Sequence, residues 1–165
     1  MKIKPRNAIL KRVVISTLAA VCTLSSLATL CVGASNYKDT DGIYKVGGYA
    51  YRYTNTARYK SDYSSSYQKC ISTNVTYQSW VFASKTSNPG TAVNKHVLLK
   101  NPKTGKVTPS YYFSTGTTRY MINYVNEYND TKKKETDKYH YAGMQLWTAS
   151  PKTGSAHIKW SPDSI

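Results

Sequence analysis

Tyr49, Tyr51 and Tyr53 alternate with Ala50, Arg52 and Thr54, and a period of two sends successive side chains to opposite faces of a strand. The stretches "ISTNVTYQSWVFAS", "KHVLLK", "SYYFST", "TTRYMINYV" and "HYAGMQLWTA" share this character, being rich in the β-branched and aromatic residues that fit a pleated surface. Between them lie "SNPGT", "NPKTGK", "NDTKKKE" and "SPKTGS", whose Pro, Gly, Asn and Asp residues form turns. Connections this short leave no room for a helical crossover, so the strands should pair antiparallel. The expected fold is all-β, a single antiparallel β-sandwich or a small barrel, following an N-terminal signal helix.

The tetrapeptide Pro-Lys-Thr-Gly occurs at 102–105 and again at 151–154. Proline presets the backbone angle of a turn and glycine closes it in the left-handed region, so each copy is expected to join two antiparallel strands. Two tyrosine sets are spaced by four instead of two: Tyr59, Tyr63 and Tyr67, and Tyr120, Tyr124 and Tyr128. The first contains Ser64-Ser65-Ser66, poor material for a helix interior, and reads as an irregular connection. In the second, Tyr120, Ile122 and Tyr124 also fit a period of two, and the segment reads as a strand.

The first 34 residues stand apart. Lys2, Lys4, Arg6, Lys11 and Arg12 precede an uncharged apolar run from Val13 to Val32, and Val32-Gly33-Ala34 offers small residues at the spacing a signal peptidase reads. Residues 1–34 are therefore expected to be a signal peptide cut after Ala34, and residues 35–165 a secreted, tyrosine-rich β-domain. An uncleaved leader would instead anchor the domain, since about 20 apolar residues span a bilayer. Both routes place the domain outside the cell, secreted or associated with the wall. Five of the 23 basic residues fall in the leader and all eight acidic ones beyond it, so the net charge drops from +15 to +10 and still favours anionic partners. Cys70 is the one cysteine beyond the leader, so no intramolecular disulfide staples the domain, and a buried, apolar role is expected for it.

All 16 tyrosines lie beyond the leader, against two phenylalanines. A phenol buries a large ring and keeps its hydroxyl wet, so most are expected as half-buried strand residues. The surplus, beside basic residues, forms a candidate surface that stacks on sugars and attracts phosphates: Tyr49, Tyr51, Arg52, Tyr53, Arg58, Tyr59 and Lys60. Its expected partners are an anionic polymer or glycan of the cell wall, and a membrane surface beyond that. Basic groups interleaved with aromatics also mark single-stranded nucleic-acid binders, but an exported protein meets wall polymer continuously and nucleic acid rarely.

No catalytic constellation, metal site or cofactor motif is apparent. His96, His140 and His157 lack the close spacing of zinc ligands, and neither a nucleophile elbow nor a phosphate loop occurs. Glu127 and His140, with Arg119, form the one grouping that suits a small secreted ribonuclease, by proton relay and phosphate stabilisation.

The basic leader, the repeated Tyr-x-Tyr and Arg-Tyr pairs, the late aromatic strand "GMQLW" and a short polar hairpin near residue 165 resemble small exported β-proteins of Gram-positive bacteria. Some of these are of unknown function and some are bacteriocin-like. The resemblance implies a class and a compartment and no functional residues. Two functions are expected on these grounds. One is an exported non-enzymatic β-domain that binds an anionic or glycan component of the envelope, with a bacteriocin-like factor as one form of it. The other is a small secreted hydrolase or nuclease acting on an anionic polymer.

Overall fold

The computed structural model of the chain describes residues 38–88 and 97–164. In chain order the strands are β1 (Thr40–Val46), β2 (Arg52–Tyr53), β3 (Arg58–Tyr59), β4 (Ser66–Thr73), β5 (Tyr77–Ser84), β6 (Tyr111–Phe113), β7 (Thr118–Met121), β8 (Tyr141–Trp147) and β9 (Gly154–Ser161). One sheet runs β1, β9, β4, β7; the other runs β2, β8, β5, β6, with β3 also paired to β8. Every strand pairing is antiparallel. The sheets pack face to face without closing into a barrel, so the sandwich is the form adopted. The expected signal peptide, residues 1–34, and the expected cut after Ala34 lie outside the described residues.

Alternation decides what enters the space between the sheets. Along β9, Ala156, Ile158 and Trp160 are buried while Ser155, His157 and Lys159 face out. Along β5, Tyr77, Val81 and Ala83 join the core, as do Ala142, Met144 and Leu146 of β8. Val46, Cys70, Phe113 and Met121 complete it from the other strands. Fully burying such an aliphatic side chain is worth about 1.5–3 kcal/mol, and Cys70, the one cysteine among the described residues, is free. Cys70 is fully buried, as its sequence context suggests, and burial pushes its thiol pKa up.

A polar bridge crosses this core. Gln68 on β4 donates from Nε2 to the Tyr77 hydroxyl on β5 at 2.9 Å and accepts from Ser79 Oγ at 2.7 Å. All three residues are buried, and the Tyr77 ring stacks on Phe113 at 5.4 Å. Leaving any one of these groups unpaired would cost about 1–3 kcal/mol, so the network fixes how the sheets face each other.

Three local expectations change. The segment after Tyr120 does not remain a strand: β7 ends at Met121, and Val125–Asn129 forms one short helix, α1. Asn123 ends the extended run, its amide donating to Ser64 O and Ser66 Oγ at 3.2 Å, while the buried Val125 docks the helix on the core. The second Pro-Lys-Thr-Gly is not a hairpin turn, because it leads from β8 to β9 in different sheets; its Gly154 is already the first residue of β9, opposite Val46. The first copy does close a tight turn, with Gly105 at φ 70° and its N–H donating to Asn101 O at 2.8 Å. Its arms, however, meet only in a single bridge between Lys100 and Val107. Finally, "ISTNVTYQSWVFAS" is two strands, with Asn74–Thr76 carrying the chain from one sheet to the other.

Candidate functional site

Because Ser79, Val81 and Ala83 point into the core, Gln78, Trp80, Phe82 and Ser84 lie on the outer face of the second sheet. The same parity puts Tyr141, Gly143, Gln145 and Trp147 of β8 beside them. Register then sets the residues in rows across the strands. Tyr112, Gln78 and Trp147 form one row, and Trp80, Gln145 and Tyr53 the next. Phe82 lies opposite Gly143, and the last row is Ser84, Tyr141 and Tyr59. Successive rows are about 6.7 Å apart, two residues along a strand.

The rings touch. Tyr51 meets Trp80 edge-on at 6.0 Å and Trp147 at 6.3 Å, and Tyr53 meets Phe82 edge-on at 5.6 Å. At the far end Tyr59 stacks on the His140 imidazole at 6.0 Å and abuts Tyr141. The face is not buried: Tyr51 is 54% exposed, Tyr59 51% and Tyr112 65%. Trp80 and Trp147 are half-buried beside them. Between these ends the face is covered, with Phe82 and Ser84 fully buried and Gln145 5% exposed, so the open rings form a group around Tyr51, Trp80 and Trp147 and a second one at Tyr59; grouped exposed rings of this kind are unusual for a surface.

The seven candidate residues divide by the same alternation. Tyr51, Tyr53 and Tyr59 share the aromatic face. Arg52, between two of them, turns the other way, and a side-chain carbon on Gly47 would sit 3.0 Å from its Nε. Arg58 also turns away, donating to Lys38 O and, at 3.4 Å, to Thr40 Oγ1 of the other sheet. Burial lowers its pKa, with Asp163 and Asp39 opposing that shift. Tyr49 is 67% exposed in the loop between β1 and β2, at a left-handed φ of 55°, pinned by its N–H donating to Thr148 O at 3.2 Å.

Lys60 is withdrawn from any surface. Its side chain is fully buried, with Nζ 2.5 Å from Asp163 Oδ1 and 3.0 Å from Asp62 Oδ1. Burial pushes the Asp62 carboxyl up, but hydrogen bonds from Ser64 and Lys60 prevail and hold it at about 2. The aromatic face is thus not a mixed surface of rings and bases.

The outer face of the first sheet carries three lysines. Lys45, Lys69 and Lys159 point outward from the first sheet, with Asp41 bonded to His157 at 2.5 Å and lying 3.7 Å from Lys159. Tyr67 and Tyr120 pair there at 5.8 Å.

Glu127, His140 and Arg119 each have neighbours outside that grouping. His140 Nε2 pairs with Glu135 at 2.6 Å. Glu127 lines a surface cleft of about 450 Å³ with Tyr63, Asn101 and Asp130. Arg119 donates to the carbonyl of its neighbour Thr118. Among the described residues no group of three His, Cys, Asp or Glu side chains is placed to hold a metal ion.

The tryptophans are the site residues that tyrosine counting overlooks. Their signal was parity: in "QSWVF" and "MQLW" each Trp sits one residue from an inward aliphatic. Fold and face together define an antiparallel β-sandwich with one aromatic and one cationic outer surface. Residues 27–164 match the family described as protein of unknown function (DUF2712), and the chain belongs to it. No curated protein and no solved structure matches the chain.

Proposed function

We propose that this is an exported, non-enzymatic β-sandwich that binds a glycan of the Gram-positive cell envelope on the outer face of its second sheet. The observation that carries the reading is the cluster of Tyr51, Trp80 and Trp147, in which the exposed Tyr51 ring contacts both half-buried indoles. Flat, partly exposed rings offer apolar area to the C–H faces of sugars, while Gln78 and the tyrosine hydroxyls supply hydrogen bonds to sugar hydroxyls. The rings are held by the sheet, so little side-chain entropy is lost on binding.

The absence of a basic residue from the rows of this face favours an uncharged glycan over an anionic polymer there. A bacteriocin-like role would be the same binding directed at a competitor's envelope. In the exported form, the mature chain begins at Ser35.

Purified Gram-positive walls, intact and stripped of teichoic acid, provide the test. Binding should survive stripping and persist in about 0.5 M salt, where the screening length falls to about 4 Å. Trp80→Ala and Trp147→Ala should each weaken it at least tenfold while leaving the β-sheet circular dichroism unchanged. Binding that disappears with teichoic acid or salt, or that ignores both substitutions, would show the reading to be wrong.

A further inference from the structure

Lys60 and Asp163 are both fully buried, lie 103 residues apart in sequence, and approach to 2.5 Å between Nζ and Oδ1. We propose that they condense into an intramolecular amide, a covalent cross-link between the segment after β3 and the segment after β9, with Asp62 as proton relay and Ser61 steadying the reacting carboxyl. This does not depend on the glycan reading.

The surroundings are those the reaction requires. The second oxygen of Asp163, Oδ2, accepts hydrogen bonds from the Ser61 N–H at 3.2 Å and the Ser61 hydroxyl at 2.8 Å. As Nζ adds to the Asp163 carboxyl carbon, negative charge builds on Oδ2, where these two donors already point. Oδ1, the oxygen beside Nζ, is then the leaving oxygen.

Asp62 Oδ1 accepts from Nζ at 3.0 Å and from the Ser64 N–H at 2.9 Å. It is a second carboxylate on the same amine, able to take a proton from the nitrogen and return it to the departing oxygen. The balance closes without any other reactant. The ammonium carries three protons; the amide keeps one, and two leave with Oδ1 as water. One C–O bond breaks, one C–N bond forms, and the opposite charges cancel.

Position and burial drive the step. The Asp163 segment is fixed by Ser161 Oγ donating to Asp163 O at 2.6 Å, Ser66 Oγ to Pro162 O at 2.8 Å and Ser164 N–H to Ser65 O at 2.8 Å. The Lys60 N–H donates to His140 O at 2.8 Å, so both partners are anchored on neighbouring backbone. Holding two reactants at contact in this way gives very high effective concentrations. Removing water matters equally: a buried ion pair has lost its hydration, which narrows the gap to the neutral amine and acid that react, and expelled water cannot easily return to hydrolyse the product.

The full chain, purified from a host that exports it and with its N-terminus determined, should have an intact mass lower than its sequence requires by one water. Trypsin cannot cut after an acylated Lys60, so the digest should contain the Tyr59–Lys69 peptide joined to the peptide beginning at Trp160. Lys60→Arg and Asp163→Ala should restore the full mass, and Asp62→Asn should lower the cross-linked fraction at a fixed time after synthesis at least tenfold. The wild-type digest needs no variant to fold. A folded wild-type chain at full mass, or a water loss mapped to other residues, overturns the cross-link; linkage in Asp62→Asn at the wild-type rate overturns the relay.

Discussion

Phe82 lies flat across Gly143: a side-chain carbon on residue 143 would sit 2.4 Å from the phenyl ring and 2.8 Å from Thr54 Oγ1. The glycine is what allows a fully buried ring on the outside of a sheet, beneath the 54–57 loop and Tyr53. Gly143→Ala should therefore destabilise by about 1–3 kcal/mol, the usual cost of overfilling a packed site. Chemical denaturation would measure it. An unchanged midpoint would mean that Phe82 can slide aside freely.

Alkaline pH should weaken the fold through Tyr77. Burial pushes its phenol up, reinforced by Cys70, while the hydrogen bond with Gln68 opposes the shift. A group raised on folding contributes stability that is complete below its unfolded value, here 10.0, and is lost as pH rises above that value. The denaturation midpoint should stay level up to about pH 9 and then fall. Tyr77→Phe should flatten part of that fall and cost about 1–3 kcal/mol at neutral pH, because it strips Gln68 of a buried partner. Tyr53, Tyr67 and Tyr139 are raised too, so some alkaline dependence should remain.

Cys70 should be chemically silent in the native protein. It is 0% exposed and its thiol is pushed up by burial, so labelling has to wait for the chain to open. Thiol-reactive probes at pH 8 should modify the folded protein at least about a thousandfold more slowly than the unfolded one. Labelling at comparable rates would indicate a core that opens locally around β4.

The rings of the second sheet and the lysines of the first face opposite ways, so their contributions to wall binding should separate by mutation. Lys69→Glu with Lys159→Glu should reduce only the salt-sensitive part of binding, and Trp80→Ala only the salt-resistant part, by at least tenfold or about 1.4 kcal/mol. Tyr120→Ala, on the cationic side, should leave the salt-resistant part unaltered. Equal loss of both parts in every variant would show that the faces do not act separately.

If Lys60 and Asp163 are joined, they close a loop of about 100 residues, which in the chain-entropy account of cross-links constrains the unfolded state by about 4–5 kcal/mol. Thermal melting of Lys60→Arg should then fall by several degrees at least, and reducing agents should have no effect on the wild type.

Much of the architecture could be read from alternation, because a two-residue period with one face buried permits one register and no slip. The failures have local causes. Tyr120 to Tyr128 satisfies a period of two at its start and four at its end, and the chain uses both in turn, changing over at Asn123. The two Pro-Lys-Thr-Gly turns are identical in residues and differ in what they connect, which only the sheet order reveals. Within the site, the alternation that gathered Tyr51 and Tyr53 necessarily removed Arg52 from their face. Lys60 and Asp163 gave no warning, since each sits among polar residues and burial arises from contacts 103 residues apart.

β9, the last strand in chain order, lies between β1 and β4 and hydrogen-bonds to both. A growing chain that has made everything up to residue 153 possesses neither a continuous first sheet nor a floor for the core, and its β1 has no partner strand. Assembly of the first sheet therefore waits until β9 has been made. Two strands that are distant in the chain, β1 and β4, thus owe their places in one sheet to a third that is made after both.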